Sequence, residues 1–186
     1  MQRYSAYRAR WWTKWQAVQP TVLPVPRLLR AEKAASLPIP SPLPTANDLG
    51  YEPVTLWIEP GERIAQKRLR RFVEGPIHTY ITGRNLPAVD GSSILSPHFR
   101  FGTLSARAAV HAALASLAQG RRVSRPDVFI WIDELVWREF FQQVLAAFPR
   151  VVDEPFRQVP APAPRTPGSE RDRLYQTWRE GKTGFP

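Results

Sequence analysis

Large apolar side chains return every three or four residues along much of this chain, the spacing of amphipathic helices, and nowhere do they alternate long enough to predict a strand. Tyr7, Trp11, Trp15 and Val18 predict a short opening helix. A stripe of such large side chains needs a covering surface, supplied either by something preceding it or by the chain's own core. A second helix is predicted from Pro60, whose fixed φ suits a first turn, to Gly75-Pro76, with Glu62 at its positive end. Ala65, Leu69, Phe72 and Val73 form its inward stripe. Arg63, Lys67, Arg70 and Arg71 share the other side, which is either a solvated face or one that meets phosphates. Ser105 is placed to cap a further helix that turns Ala109, Val110, Ala113, Leu114 and Leu117 inward and stops at Gly120. After Ser124 and Pro126, Asp127 starts a long helix reaching about Ala147, where Pro149 bars extension. The expected fold class is all-α.

Proline punctuates what lies between. The chain holds 20, with Pro38, Pro40, Pro42 and Pro44 on alternate residues, a pattern that forbids helix and favours extended polyproline-like backbone. The stretch from Pro20 to Pro60 therefore reads as a linker, and a second proline-rich loop runs from Pro149 to Pro167.

The long helix carries the densest chemistry. At 100° per residue, Trp131, Glu134, Trp137 and Arg138 fall within an arc of about 120°, with Phe141 close to it. Val128, Phe129, Ile132, Leu135, Val136 and Phe140 make the remaining surface largely apolar, so its charged residues need partners. Glu134 and Arg138 are spaced as an i,i+4 pair, with the tryptophans as core. The alternative makes Trp137 a stacking platform for a planar ring, Glu134 a hydrogen-bond acceptor beside it and Arg138 a partner for an anion. Upstream, Gly91-Ser92-Ser93-Ile94-Leu95-Ser96-Pro97 crowds hydroxyls and amides into a turn before a helical stretch, as a phosphate cradle does. Tyr80 and Arg84, one helical turn apart, add a phenol and a guanidinium.

Charge and composition narrow the field. Against 16 Asp and Glu stand 26 Lys and Arg, mostly Arg, for a formal charge of +10 in 186 residues. A polyanion such as nucleic acid is the expected partner, although arginine on solvated faces gives the same total. The absence of cysteine excludes disulfides, thiolate metal sites and cysteine nucleophiles, and His78, His98 and His111 show no metal-ligand spacing. No apolar run approaches the ~20 residues needed to cross a bilayer. A cytoplasmic location without membrane or metal partners is expected.

Three ordered motifs resemble the DNA photolyase and cryptochrome family. The first is Pro60-Gly61-Glu62, then Tyr80, Arg84, Pro87, Gly91, Ser92, Ser93, Leu95, Ser96 and Pro97; the second is Glu134-Leu135-Val136-Trp137-Arg138-Glu139-Phe140-Phe141; the third is Trp178, Gly181, Thr183, Gly184 and Pro186. The resemblance implies a helical FAD-binding domain whose first half occupies residues 60–186. Residues 20–59 would be the interdomain linker, and residues 1–19 the end of an α/β antenna domain, so no antenna chromophore is expected. It implies FAD contacts from Tyr80, Ser92, Ser93, Ile94, Leu95, Ser96, Trp131 and Arg138. Arg84, Glu134, Trp137, Arg138 and Phe141 would meet DNA carrying a pyrimidine dimer, with the lesion flipped onto Trp137. The implied reaction is light-driven: reduced FAD donates an electron to a cyclobutane dimer, the ring splits and the electron returns. A cryptochrome-type light receptor and a non-catalytic basic DNA-binding protein are the alternatives. Since the family's domain continues beyond the counterpart of Pro186, the resemblance also implies an incomplete flavin cavity and weak FAD binding. The chain further departs from the family in having Ser92 for the commoner threonine and no tryptophan between Phe156 and Trp178.

Overall fold

The structure, a computed structural model, describes residues 3–24, 44–52, 54–118, 123–157 and 168–184. Pro38, Pro40, Pro42, Gly120, Pro186 and the later part of the second proline-rich loop lie outside the described residues. Among the described residues seven α-helices follow one another, α1 (Tyr4–Val18), α2 (Glu62–Glu74), α3 (Tyr80–Gly83), α4 (Ser96–Arg100), α5 (Ala106–Ser116), α6 (Arg125–Ala147) and α7 (Gly168–Arg179), and there is no strand. The all-α expectation holds. The chain divides into two compact units, Met1–Phe141 and Gln142–Pro186.

In the first unit the core forms where the apolar stripes converge. Ala65, Leu69, Phe72 and Val73 of α2 are all buried, the four positions its spacing singles out. They meet α5, whose Ala109 and Ala113 are fully buried. Small side chains there leave the two helices room to approach closely. Val128, Ile132 and Val136 of α6 close the core from another side, each 0% exposed. The buried Ser116 hydroxyl is satisfied locally, donating to the Ala113 carbonyl at 2.7 Å.

Helix boundaries follow local chemistry. Ser105 accepts from the Ala108 amide at 3.4 Å and so caps α5. Ser105→Ala should lower stability by about 1 kcal/mol, visible as a lower urea midpoint with unchanged helix content. α6 begins at Arg125, two residues before the expected start, because Ser124 supplies the cap: its carbonyl accepts from Val128 and its hydroxyl from the Asp127 amide. Pro126 fits there because first-turn amides have no helical partner.

The aromatic stripe of α1 is covered by this chain's own core, resolving the two alternatives. Tyr7 tilts against Phe140 at 5.3 Å, Trp12 against Phe129 at 5.1 Å and Trp15 against His111 at 5.4 Å. Val18 falls off the end of the stripe and is 61% exposed. No residue of α1 is fully buried. The helix lies on the core without entering it.

The second unit holds a 3₁₀ turn over Pro149–Val152, tied by Arg150 to the Pro155 and Phe156 carbonyls, and α7, where Tyr175 and Trp178 stack at 5.9 Å.

Candidate functional site

The site is assembled on α6 and on the segment from α3 to α4. Asp127, in the first turn of α6, accepts a hydrogen bond from the Ile81 amide at 2.7 Å and another from Ser124. That bond fixes α3 against α6, and Arg84 closes the α3 turn through its amide to the Tyr80 carbonyl at 3.0 Å. Its guanidinium reaches Glu134 at 2.5 Å and lies over the Tyr80 ring, 5.5 Å from the centroid. Glu134 therefore pairs with Arg84, fifty residues away, and the i,i+4 pair with Arg138 is not what holds it. Burial pushes the Tyr80 phenol up from its ordinary value, Glu134 adds to the rise, and Arg84 opposes it. Tyr80 stays a neutral phenol throughout the physiological range.

Trp137 stands one turn along α6 from the Arg84–Glu134 pair, in a group of rings. Phe141 stacks on it at 5.6 Å and 21°, and Phe140 meets it edge-on at 5.7 Å. Phe141 itself is 59% exposed. Tyr4 of α1 lies face to face with the Trp137 indole at 3.3 Å and 7°.

The segment after α3 is set by a backbone contact. Gly83 and Gly91 approach so closely that a Cβ on Gly91 would lie 2.5 Å from the Gly83 carbonyl carbon. From this fixed point Ser92 and Ser93 line a cleft of about 320 Å³ together with Lys67, Arg68 and Arg71 of α2. Arg71 is also bound to Asp90 at 3.2 Å. Ile94 is held at φ +51°, strained for a β-branched residue, Leu95 is fully buried, and Ser96 begins α4 on the surface.

Trp131 and Arg138 go elsewhere. Trp131 is only 3% exposed and packs against Phe72 at 5.1 Å, while Arg138 donates to the Phe99 carbonyl at 3.2 Å. The helical arc that joins Trp131 to Glu134 and Trp137 is thus divided between the core and the surface.

Sequence reasoning passed over one residue at the centre of the site. Asp133 is buried on α6 and its carboxylate takes Arg8 Nε at 2.7 Å and Trp12 Nε1 at 3.3 Å, while its carbonyl accepts from the Tyr4 hydroxyl at 3.1 Å. Its only signal is a carboxylate on an apolar face. Trp11 adds a bond to Glu139 at 2.8 Å. Burial first, then Asp133, raises the Tyr4 phenol to about 12, and burial with Glu139 does the same for Tyr7. A phenol whose folded value exceeds its ordinary 10.0 stabilises docking fully below pH 10, and that contribution disappears as pH rises through about 12. Tyrosinate absorbance should therefore show three late-ionising tyrosines, Tyr4, Tyr7 and the buried Tyr80, with helical signal falling as the first two ionise.

Among the described residues no cluster of His, Cys, Asp or Glu could hold a metal, and no helix is long and apolar enough to cross a membrane.

Comparison with known proteins bears on this arrangement. Residues 131–186, starting at Trp131 and including Glu134 and Trp137, match the family described as the FAD binding domain of DNA photolyase. A deoxyribodipyrimidine photo-lyase of Synechococcus is 35% identical over 195 aligned positions, covering 98% of this chain and 39% of the relative. The chain belongs to the DNA photolyase family. The photo-lyase of Halobacterium salinarum is 36% identical over 98% of this chain and 38% of its own length, and that of Thermus thermophilus 35% over 88% and 37%. The chain thus spans about two fifths of the length of these photolyase relatives. FAD is the cofactor of the family's matched domain.

Proposed function

We propose that this chain forms the diphosphate-binding and lesion-contacting part of a photolyase that repairs cyclobutane pyrimidine dimers in DNA under light. The supporting observation is the Arg84–Glu134 ion pair beside the Trp137–Phe141 platform. An indole face suits the π-surface of an extruded base, a carboxylate accepts from its imide edge, and a guanidinium meets the adjoining phosphate. Residues 60–186 would form the first half of the flavin domain, 20–59 the linker and 1–19 the end of a preceding domain, in the cytoplasm.

The residues fit FAD in its anionic part. In one cleft two hydroxyls, Lys67 and Arg68 suit a diphosphate, while Asp90 holds Arg71 and Glu59 adds a second carboxylate to the lining. Trp131, sealed against Phe72, offers no open face for the flavin ring, so the chain should bind FAD weakly. Bound FAD supplies the light-absorbing group and the electron for dimer splitting. The protein's part is to hold the lesion out of the stack and exclude water from it. The relatives' names favour repair over light sensing.

The deciding experiment measures affinity for a short single-stranded oligonucleotide with one thymine dimer and for its undamaged twin. The wild-type chain should prefer the dimer, and Trp137→Ala should remove about tenfold of that preference, the scale of one lost base–aromatic stack. Equal affinity for both, falling steeply with salt, would leave only a phosphate-binding basic protein.

A further inference from the structure

The Trp137 face that suits a flipped base is already in use. Tyr4 covers it at 3.3 Å and an interplanar angle of 7°, the relation a stacked base would adopt. No second ring fits between planes that close. The contact is held on both sides of the stack: the Tyr4 hydroxyl bonds the Asp133 carbonyl, Arg8 and Trp12 share the Asp133 carboxylate, and Trp11 reaches Glu139. These are specific bonds from four α1 side chains to the turns of α6 flanking Trp137.

The same helix is built to leave. No residue of α1 is fully buried, and its partners on α6 keep their own core contacts through Val128, Ile132 and Val136. Undocking α1 uncovers the ring faces of Tyr4, Tyr7, Trp11, Trp12 and Trp15, which pack on the outside of the core cluster, and frees Asp133 to water. Segments with few buried contacts open at free energies well below that of global unfolding.

We propose that α1 is a tethered competitor for the lesion platform: Tyr4 occupies the place of an extruded pyrimidine, and DNA carrying a dimer binds only after α1 has swung off Trp137. This rests on the reading of Trp137 as the lesion platform. The measured affinity is then the intrinsic one reduced by the fraction of molecules with α1 undocked. Changes that loosen α1 raise affinity for the dimer and leave binding to undamaged strands, made through phosphates, as it was.

The test uses the full chain and the same two labelled oligonucleotides, followed by fluorescence anisotropy. Tyr4→Ala is expected to tighten binding to the dimer strand about tenfold with no change for the undamaged twin. Tyr4→Phe, which keeps the stacked ring, should stay within about twofold of wild type. Arg8→Ala should move in the same direction as Tyr4→Ala, since it releases α1 without touching the indole. Tyr4→Ala binding the dimer no more tightly, or more weakly, than wild type while Trp137→Ala still loses the dimer preference would overturn the competition and leave the platform reading standing. No preference for the dimer in wild type or in any variant would sink the platform reading and this inference with it. Amide exchange across residues 4–18 gives an independent check: it should accelerate when the dimer strand is added, and unchanged or slowed exchange at saturation contradicts undocking.

Discussion

Gly91→Ala should destabilise the first unit by about 2–4 kcal/mol, enough to leave much of the protein unfolded at moderate temperature. The new methyl would stand 2.5 Å from the Gly83 carbonyl carbon and 2.6 Å from its Cα and oxygen. All three are backbone atoms, so no rotamer change relieves the clash. Either α3 shifts away from the Asp127 bond to Ile81, or the Ser92–Ser93 segment leaves its cleft. The reverse substitution is milder: a methyl on Gly83 meets Gly91 Cα at 3.1 Å, a distance that a displacement of a few tenths of an ångström relieves. Urea denaturation orders the two, and a wild-type midpoint for Gly91→Ala would show that the two strands of backbone are not held together.

The other large effect is expected at Asp133. Removing its carboxylate in Asp133→Ala leaves the Arg8 guanidinium and the Trp12 indole N–H facing α6 with nothing to accept from them. Loss of a partly buried charged acceptor costs about 1–3 kcal/mol. That energy falls on α1 alone, because Arg8, Trp12 and Tyr4 are the α1 residues that Asp133 holds. Circular dichroism should lose the signal of one 15-residue helix while the cooperative transition of the core remains. Asp133→Asn keeps an acceptor for Arg8 and should fall between the two. If Asp133→Ala lowered the main unfolding midpoint with no separate loss of helix, α1 and the core would be a single cooperative element.

Much of this was legible beforehand wherever the controlling contact is local. The stripe of α2 needs only the 3.6-residue period, and the Ser105 cap only a hydroxyl three residues before an amide. What escaped depends on residues far apart in sequence. Glu134 has a cation four residues on, so helical spacing nominates Arg138; the actual partner, Arg84, is brought close by Asp127 holding α3. Trp131 and Trp137 share an arc on a helical wheel, but a wheel does not record that α6 is enclosed on several sides. The aromatic stripe of α1 announced that something must cover it and carried no address. Gly91 reads as part of a phosphate cradle, and nothing in the spacing announces that its backbone touches that of Gly83. The family motifs name Tyr80, Arg84, Glu134 and Trp137 in chain order, and the fold brings the first three together through contacts that the motifs do not spell.

A helix that rests on the surface through ring faces and one carboxylate is also the first place a protease will find an open backbone. Arg10 and Lys14 of α1 are exposed, so traces of a trypsin-like contaminant would clip this segment while the core stays intact. Freshly prepared and stored samples of the same protein would then present different faces at Trp137, and a binding constant would depend on the age of the preparation. Intact mass, measured beside every titration, separates the two populations.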